Sequence, residues 1–222
     1  MTQQTENLAS LDSIALKYGT DKSSLEHYYT RWYDMILSSK RSKELKLFEI
    51  GIKDGLSLKT WKEYFHNSEI YGLDIVDCKQ FEEENISIYV GSQDDKLLLT
   101  KISEEAGPFD IIIDDGSHHN YHMFDSFTTL FPLLNKGGYY IVEDLHCCYW
   151  QKTHETGEPI FMEFVKTLMD KVNANGKSDI GDPLKDEYRY FYKQNHYGYK
   201  DYWENNVESI QLFRGIVFIK KL

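Results

Sequence analysis

Two apolar runs in this 222-residue chain each lead into a pair of carboxylates. Ile111-Ile112-Ile113 runs into Asp114-Asp115-Gly116-Ser117-His118-His119, and Tyr139-Tyr140-Ile141-Val142 runs into Glu143-Asp144-Leu145-His146. Short apolar runs bounded by turn residues read as buried strands, and residues just past such strands lie at the ligand-binding edge of an α/β sheet. If the two strands are neighbours, Asp115, Glu143 and Asp144 converge at that edge. Three carboxylate oxygens suit Mg²⁺ or a similar hard divalent cation, whose remaining positions go to water or to substrate oxygens. Helix capping explains one such carboxylate but not two side by side, and adjacent like charges are costly unless a cation offsets them. His118, three residues past Asp115, has the chemistry of a general base for a hydroxyl held beside the cation; His119, His122 and His146 compete for that role.

A second group suits a nucleoside. Phe48-Glu49-Ile50-Gly51-Ile52-Lys53-Asp54-Gly55 places glycines where a strand would turn into a helix, so that backbone and ligand can approach closely. Asp74 ends the next apolar run, where a carboxylate can accept hydrogen bonds from a ribose diol. Dinucleotide sites share this logic, but the G-x-G-x-x-G spacing is absent, and Glu49 and Asp54 would repel a diphosphate. The cationic amino and sulfonium groups of S-adenosylmethionine (SAM) suit an acidic loop better.

The elements that must position these residues follow from periodicity. Strands are expected over residues 46–50, 69–73, 86–90, 109–114 and 139–143, with helices over 11–18, 25–38, 56–65, 94–106 and 121–134. Successive βα units predict an α/β fold, a Rossmann-like doubly wound sheet. Near the C-terminus, 209–212 and 216–220 around an Arg214-Gly215 turn read as a hairpin. It brings the sheet to about seven strands, mostly parallel with one antiparallel. Residues 1–10 are polar and expected to be flexible, and 11–222 to form one domain. A helix over 162–172 falls within a stretch of about 151–205 expected to be an acceptor-side insertion or lid.

The formal net charge of −11 disfavours a nucleic-acid partner, since phosphate binding needs a basic surface. Aromatic residues make up 15% of the chain, 17 of them tyrosines, more than a core of this size can hold, which leans towards a ligand-binding cleft. Cys78, Cys147 and Cys148 show no paired spacing, the pattern of a reducing, cytoplasmic setting. No apolar run reaches the ~18 residues needed to span a bilayer, and no signal-peptide pattern is evident, so no membrane insertion is expected.

Several segments then fall into a recognisable order: Lys17-Tyr18-Gly19-Thr20-Asp21-Lys22, Phe48-Glu49-Ile50-Gly51, Ile70-Tyr71-Gly72-Leu73-Asp74-Ile75, Gly91-Ser92-Gln93-Asp94, Gly107-Pro108-Phe109-Asp110, Ile113-Asp114-Asp115-Gly116-Ser117-His118, and Val142-Glu143-Asp144-Leu145 with Tyr149-Trp150. Over residues 16–150 the chain resembles the metal-dependent sugar O-methyltransferases, a class I SAM-dependent family. The resemblance implies that Asp115, Glu143 and Asp144 bind Mg²⁺ and that His118 deprotonates the acceptor. It implies a SAM pocket lined by Glu49, Gly51 and Asp74, with Ser92, Gln93 or Asp94 beside the adenine, Asp114 nearer the methionine end, and Thr20, Asp21 and Tyr28 closing it. The implied acceptor is a sugar hydroxyl, on a glycoside or a nucleotide-activated sugar, in natural-product or surface-polysaccharide biosynthesis, and family habit favours a homo-oligomer. Another small oxygen acceptor, a catechol or phosphoramidate, is the alternative within enzymes. A non-catalytic SAM- or carbohydrate-binding module is the alternative outside them, against which the intact Asp115, His118, Glu143 and Asp144 argue.

Overall fold

The computed structural model describes residues 8–150, 160–174 and 202–222. Five strands, β1 (Leu45–Ile50), β2 (Ser68–Asp74), β3 (Ile86–Val90), β4 (Ile111–Asp114) and β5 (Tyr139–Val142), pair in parallel. The hairpin of β6 (Val207–Phe213) and β7 (Ile216–Lys221) adds β7 antiparallel to β5, giving the order β3-β2-β1-β4-β5-β7-β6. The expected mostly parallel, seven-stranded sheet with one antiparallel strand is therefore present. The winding reverses between β1 and β4, and ligands of such sheets bind in the crevice outside the strand ends at that point.

Strand alternation divides the core between the two faces of the sheet. Leu47, Ile111, Ile113, Ile141 and Phe218 face α1 (Leu11–Tyr18), α2 (Thr30–Leu37) and α3 (Leu56–Tyr64), packing on Tyr33, Leu58 and Trp61. Phe48, Ile112, Tyr140, Val142 and Val217 face α4 (Lys96–Glu105), α5 (Asn120–Leu130), α6 (Phe161–Ala174) and α7 (Tyr202–Asn206), packing on Phe127, Phe164 and Trp203. All four residues of β4 and of β5 are buried, which explains their unbroken apolar runs.

Boundaries differ from expectation where local chemistry intervenes. The helix expected from residue 25 begins only at Thr30, because Tyr28 sits in the left-handed region at φ 53° and its N–H bonds back to the Ser23 carbonyl at 2.8 Å. α4 starts at Lys96, its N-terminus capped by the Asp95 carboxylate on the Leu98 N–H at 3.0 Å, which leaves Asp94 outside. Within the stretch expected to be a lid, α6 buries Phe161, Phe164, Val165 and Leu168 in the core. The remainder of that stretch over 151–159 and 175–201, and the first seven residues of the expected flexible start, lie outside the described residues. No described helix is long and apolar enough to cross a membrane.

Candidate active site

A cavity of about 650 Å³ opens at the carboxyl ends of β1, β2 and β4, at the switch point. The expected site residues Thr20, Gly51, Asp74, Ser92, Gln93, Asp115, His118 and Asp144 line it, together with Asp21 and Lys22. Glu49, Asp114 and Glu143 are fully buried behind the lining, while Tyr28 and Asp94 stand outside it. Gly51 is required by contact: at φ 89°, a Cβ there would come within 2.1 Å of the Asp115 carbonyl oxygen, so only glycine lets the β1 and β4 loops meet.

The cavity's acidic wall is organised by a residue that sequence reasoning missed. Lys22 is 2% exposed, and its ammonium donates to the carboxylates of Asp115 and, at 2.7 Å, Glu143, with Glu49 Oε1 at 3.6 Å. Burial alone would drive the amine neutral, but Asp115, Glu143 and Glu49 outweigh it and hold its pKa well above the ordinary lysine range. Glu143 also accepts from the buried Tyr33 hydroxyl, and Asp144 accepts from Tyr29 at 2.7 Å. Tyr29 and Tyr33 stand four residues apart around the start of α2, a spacing that puts both on one helix face and was available as a signal. Tyr28 instead lies half-exposed beneath the Arg31 guanidinium.

Asp144 and His118 complete the group from strained backbone. Both lie in the left-handed region, at φ 51° and 58°, where non-glycine residues are uncommon and where strain gathers at functional sites. His118 Nε2 is 3.8 Å from Asp144 Oδ2. One ligand atom each from Asp115, His118 and Asp144 lie within 4.8 Å of one another. Asp115 and Asp144 at that separation supply hard oxygen donors that fit a divalent cation, with the His118 imidazole beside them; Glu143 lies outside this trio, its carboxylate engaged by Lys22 and Tyr33.

The remaining residues hold the loops. Asp114 is turned away from the cavity onto α5, accepting from Ser126 Oγ at 2.5 Å, Tyr140 Oη at 3.1 Å and Gln93 Nε2 at 3.1 Å. Burial raises its pKa, and the Ser126 and Tyr140 hydrogen bonds oppose that rise. Gln93 in turn accepts from the Ser117 N–H at 2.6 Å, fixing the loop that carries Asp115 and His118. Asp74 accepts from the N–H groups of Ile52 at 2.8 Å, Lys53 at 3.0 Å and Val76 at 2.9 Å, so it clamps the β1 loop against β2. A carboxylate with about four acceptor positions retains room for a further donor.

The chain is similar in sequence and in fold to proteins of known activity. The chain is 36% identical over 188 residues to the L-olivosyl-oleandolide 3-O-methyltransferase of Streptomyces antibioticus, an alignment covering 79% of this chain and 49% of the relative. It is 31% identical over 223 residues to the mycinamicin VI 2''-O-methyltransferase of Micromonospora griseorubida, covering 95% and 52%. The solved structure of the MycE methyltransferase from the mycinamycin biosynthetic pathway, in complex with Mg and SAH, superposes with a TM-score of 0.83 at 30% identity, covering 96% of this chain and 53% of that one. The chain belongs to this family of sugar O-methyltransferases. It spans about half the length of the curated relatives it matches. No protein-family model matches the chain.

Proposed function

We propose that the chain is the catalytic unit of a SAM-dependent, divalent-metal-assisted O-methyltransferase acting on a sugar hydroxyl. The observation that carries this reading is the convergence of Asp115, Asp144 and His118 at the mouth of a nucleoside-sized cavity. SAM would lie across the switch point, its ribose on Asp74, its adenine beside Ser92 and Gln93 with Asp94 at the margin, and its methionine end over Gly51 towards Thr20. Glu49 and Asp114 would shape that end from behind the lining, and Tyr28 would stand at its rim.

Asp115, Glu143 and Asp144 would hold Mg²⁺, which when bound supplies a Lewis acid that lowers the pKa of an acceptor hydroxyl and fixes its position. His118, beside Asp144, would take the hydroxyl proton on Nε2, and Asp144 would stabilise the resulting imidazolium. The Asp114, Gln93 and Ser117 chain would keep that histidine's loop in place, so that orientation adds to proton transfer.

For the acceptor, the relatives' names and the charge of the cavity point the same way. Asp21, Glu26, Asp54, Asp74, Asp115 and Asp144 all line the cavity against Lys22 and Lys53. That field repels a diphosphate and admits a neutral or amino sugar, so a glycoside is favoured over a nucleotide-activated sugar. The test is methyl transfer from SAM to a panel of glycosides, nucleotide-sugars and catechols, with Mg²⁺ and with EDTA. Glycosides are expected to turn over only with metal, and turnover confined to catechols would overturn the sugar reading. Asp144→Asn, which tolerates the left-handed backbone and removes only charge, should abolish metal-dependent transfer; unchanged transfer would remove Asp144 from the metal site. His118→Ala should lower kcat by about 10²–10⁴-fold, and full activity across pH would place the base elsewhere.

A further inference from the structure

We infer that Lys22 is a built-in counter-cation of the metal cradle, keeping its carboxylates together before the divalent ion arrives and weakening the grip on that ion once bound. The inference rests on the assignment of Asp115, Glu143 and Asp144 as metal ligands. The ammonium touches two of those three carboxylates, Asp115 and Glu143, from inside the protein. Lys53, the other lysine lining the cavity, is 79% exposed and reaches Asp21 instead, at 3.5 Å.

The placement of Lys22 is imposed by the fold rather than adopted by a mobile side chain. Its carbonyl accepts from the Thr30 N–H at 3.1 Å at the start of α2. Asp12 in α1 accepts from the Ser24 N–H and the Thr30 hydroxyl, each at 2.8 Å, so the turn is fastened between the first two helices. From that anchor the side chain enters a space with 2% exposure, where it has no solvent to retreat into.

Two consequences follow from charge. Without an ion, Glu49, Asp115, Glu143 and Asp144 are four acidic groups in one wall, and Lys22 is the cation that offsets their repulsion. With an ion bound, the fixed ammonium occupies carboxylate lone pairs and repels the dication, lowering affinity while the low dielectric keeps that repulsion strong. An ordinary structural ion pair would show only the first consequence, in the same measure with and without metal.

The experiment titrates Mn²⁺ into EDTA-stripped wild type, Lys22→Met and Lys22→Arg by electron paramagnetic resonance, and follows thermal unfolding with and without Mn²⁺. Lys22→Met should bind Mn²⁺ at least about tenfold more tightly than wild type, and Lys22→Arg, which keeps the charge, within about threefold of it. The Tm of Lys22→Met should fall in EDTA and recover towards wild type with Mn²⁺. Unchanged or weaker Mn²⁺ binding, or a Tm lowered equally in both conditions, overturns the inference while leaving the metal site standing. Absence of Mn²⁺ binding in both wild type and Lys22→Met overturns the metal site and the inference together. Should Lys22→Met not fold in EDTA, Lys22→Gln is read in the same way: folding rescued by Mn²⁺ supports the counter-cation, and failure to fold with or without it overturns it.

Discussion

Glu49 concentrates the cost of gathering acidic groups behind a cavity. It is fully buried; its Oε2 accepts from Ser57 at 2.8 Å and Trp61 Nε1 at 3.1 Å, while Oε1 has no hydrogen-bond partner. Burial pushes its pKa up to about 7 against the opposing pull of Lys22. A carboxyl raised above its unfolded value favours the folded state most when protonated, so its contribution is best below about pH 4.5 and erodes as pH rises through about 7. Glu49→Gln removes that erosion. In EDTA, the variant should gain on wild type by about 1–3 kcal/mol between pH 5 and pH 8, read by urea unfolding, and a flat difference would reject the raised carboxyl. Glu49 stood out in the sequence as a carboxylate within the apolar end of β1, just before the Gly51 turn. Lys22 did not, because lysine in a Gly-Thr-Asp turn reads as solvated and its partners Asp115 and Glu143 lie 93 and 121 residues away.

Elements were legible to the extent that one face or one strand decides them. β4 and β5 are buried on both sides, so their apolar runs and the carboxylates that end them could be placed without coordinates. The start of α2 could not, since residues 25–29 carry no breaker and the turn is set by long-range bonds to Asp12 and Asp144. The same dependence on distant contact makes Gly51 a sharp test. Gly51→Ala would strain a φ of 89° and drive its Cβ into the Asp115 carbonyl, so loss of about 1–3 kcal/mol in stability is expected. SAM affinity, measured by calorimetry, should fall with it, because the two loops that part are both cavity walls. An alanine variant with wild-type stability and SAM binding would mean that the β1 and β4 loops do not meet.

At the scale of the whole molecule, the two faces of the sheet relate differently to the site. The α5 face is a large aromatic cluster in which Trp203 stacks on Phe127 at 5.3 Å between ring centres and packs on Phe131 and Phe164. The cluster itself reaches the cavity only through Phe127 to Tyr140 and then to Asp114, whereas the first turns of α5 touch the site directly, His122 lining the cavity and Ser126 donating to Asp114. On the α2 face, Tyr33 packs between Trp61 and Phe218 and donates directly to Glu143. Stability and site geometry should therefore separate by face. Trp203→Ala, which opens a large cavity, is expected to cost about 3–5 kcal/mol in urea unfolding and to leave the SAM and Mn²⁺ dissociation constants within about twofold. Tyr33→Phe keeps the packing and removes one hydrogen bond to a buried carboxylate, for a cost of about 1.5–3 kcal/mol. That smaller loss should nonetheless shift Mn²⁺ affinity, because Glu143 is then held by Lys22 alone among the two hydrogen-bond donors that now fix it. If Trp203→Ala disturbed metal binding more than Tyr33→Phe did, the site would be supported through the α5 face, and the role given to α2 would pass to α5 and Asp114.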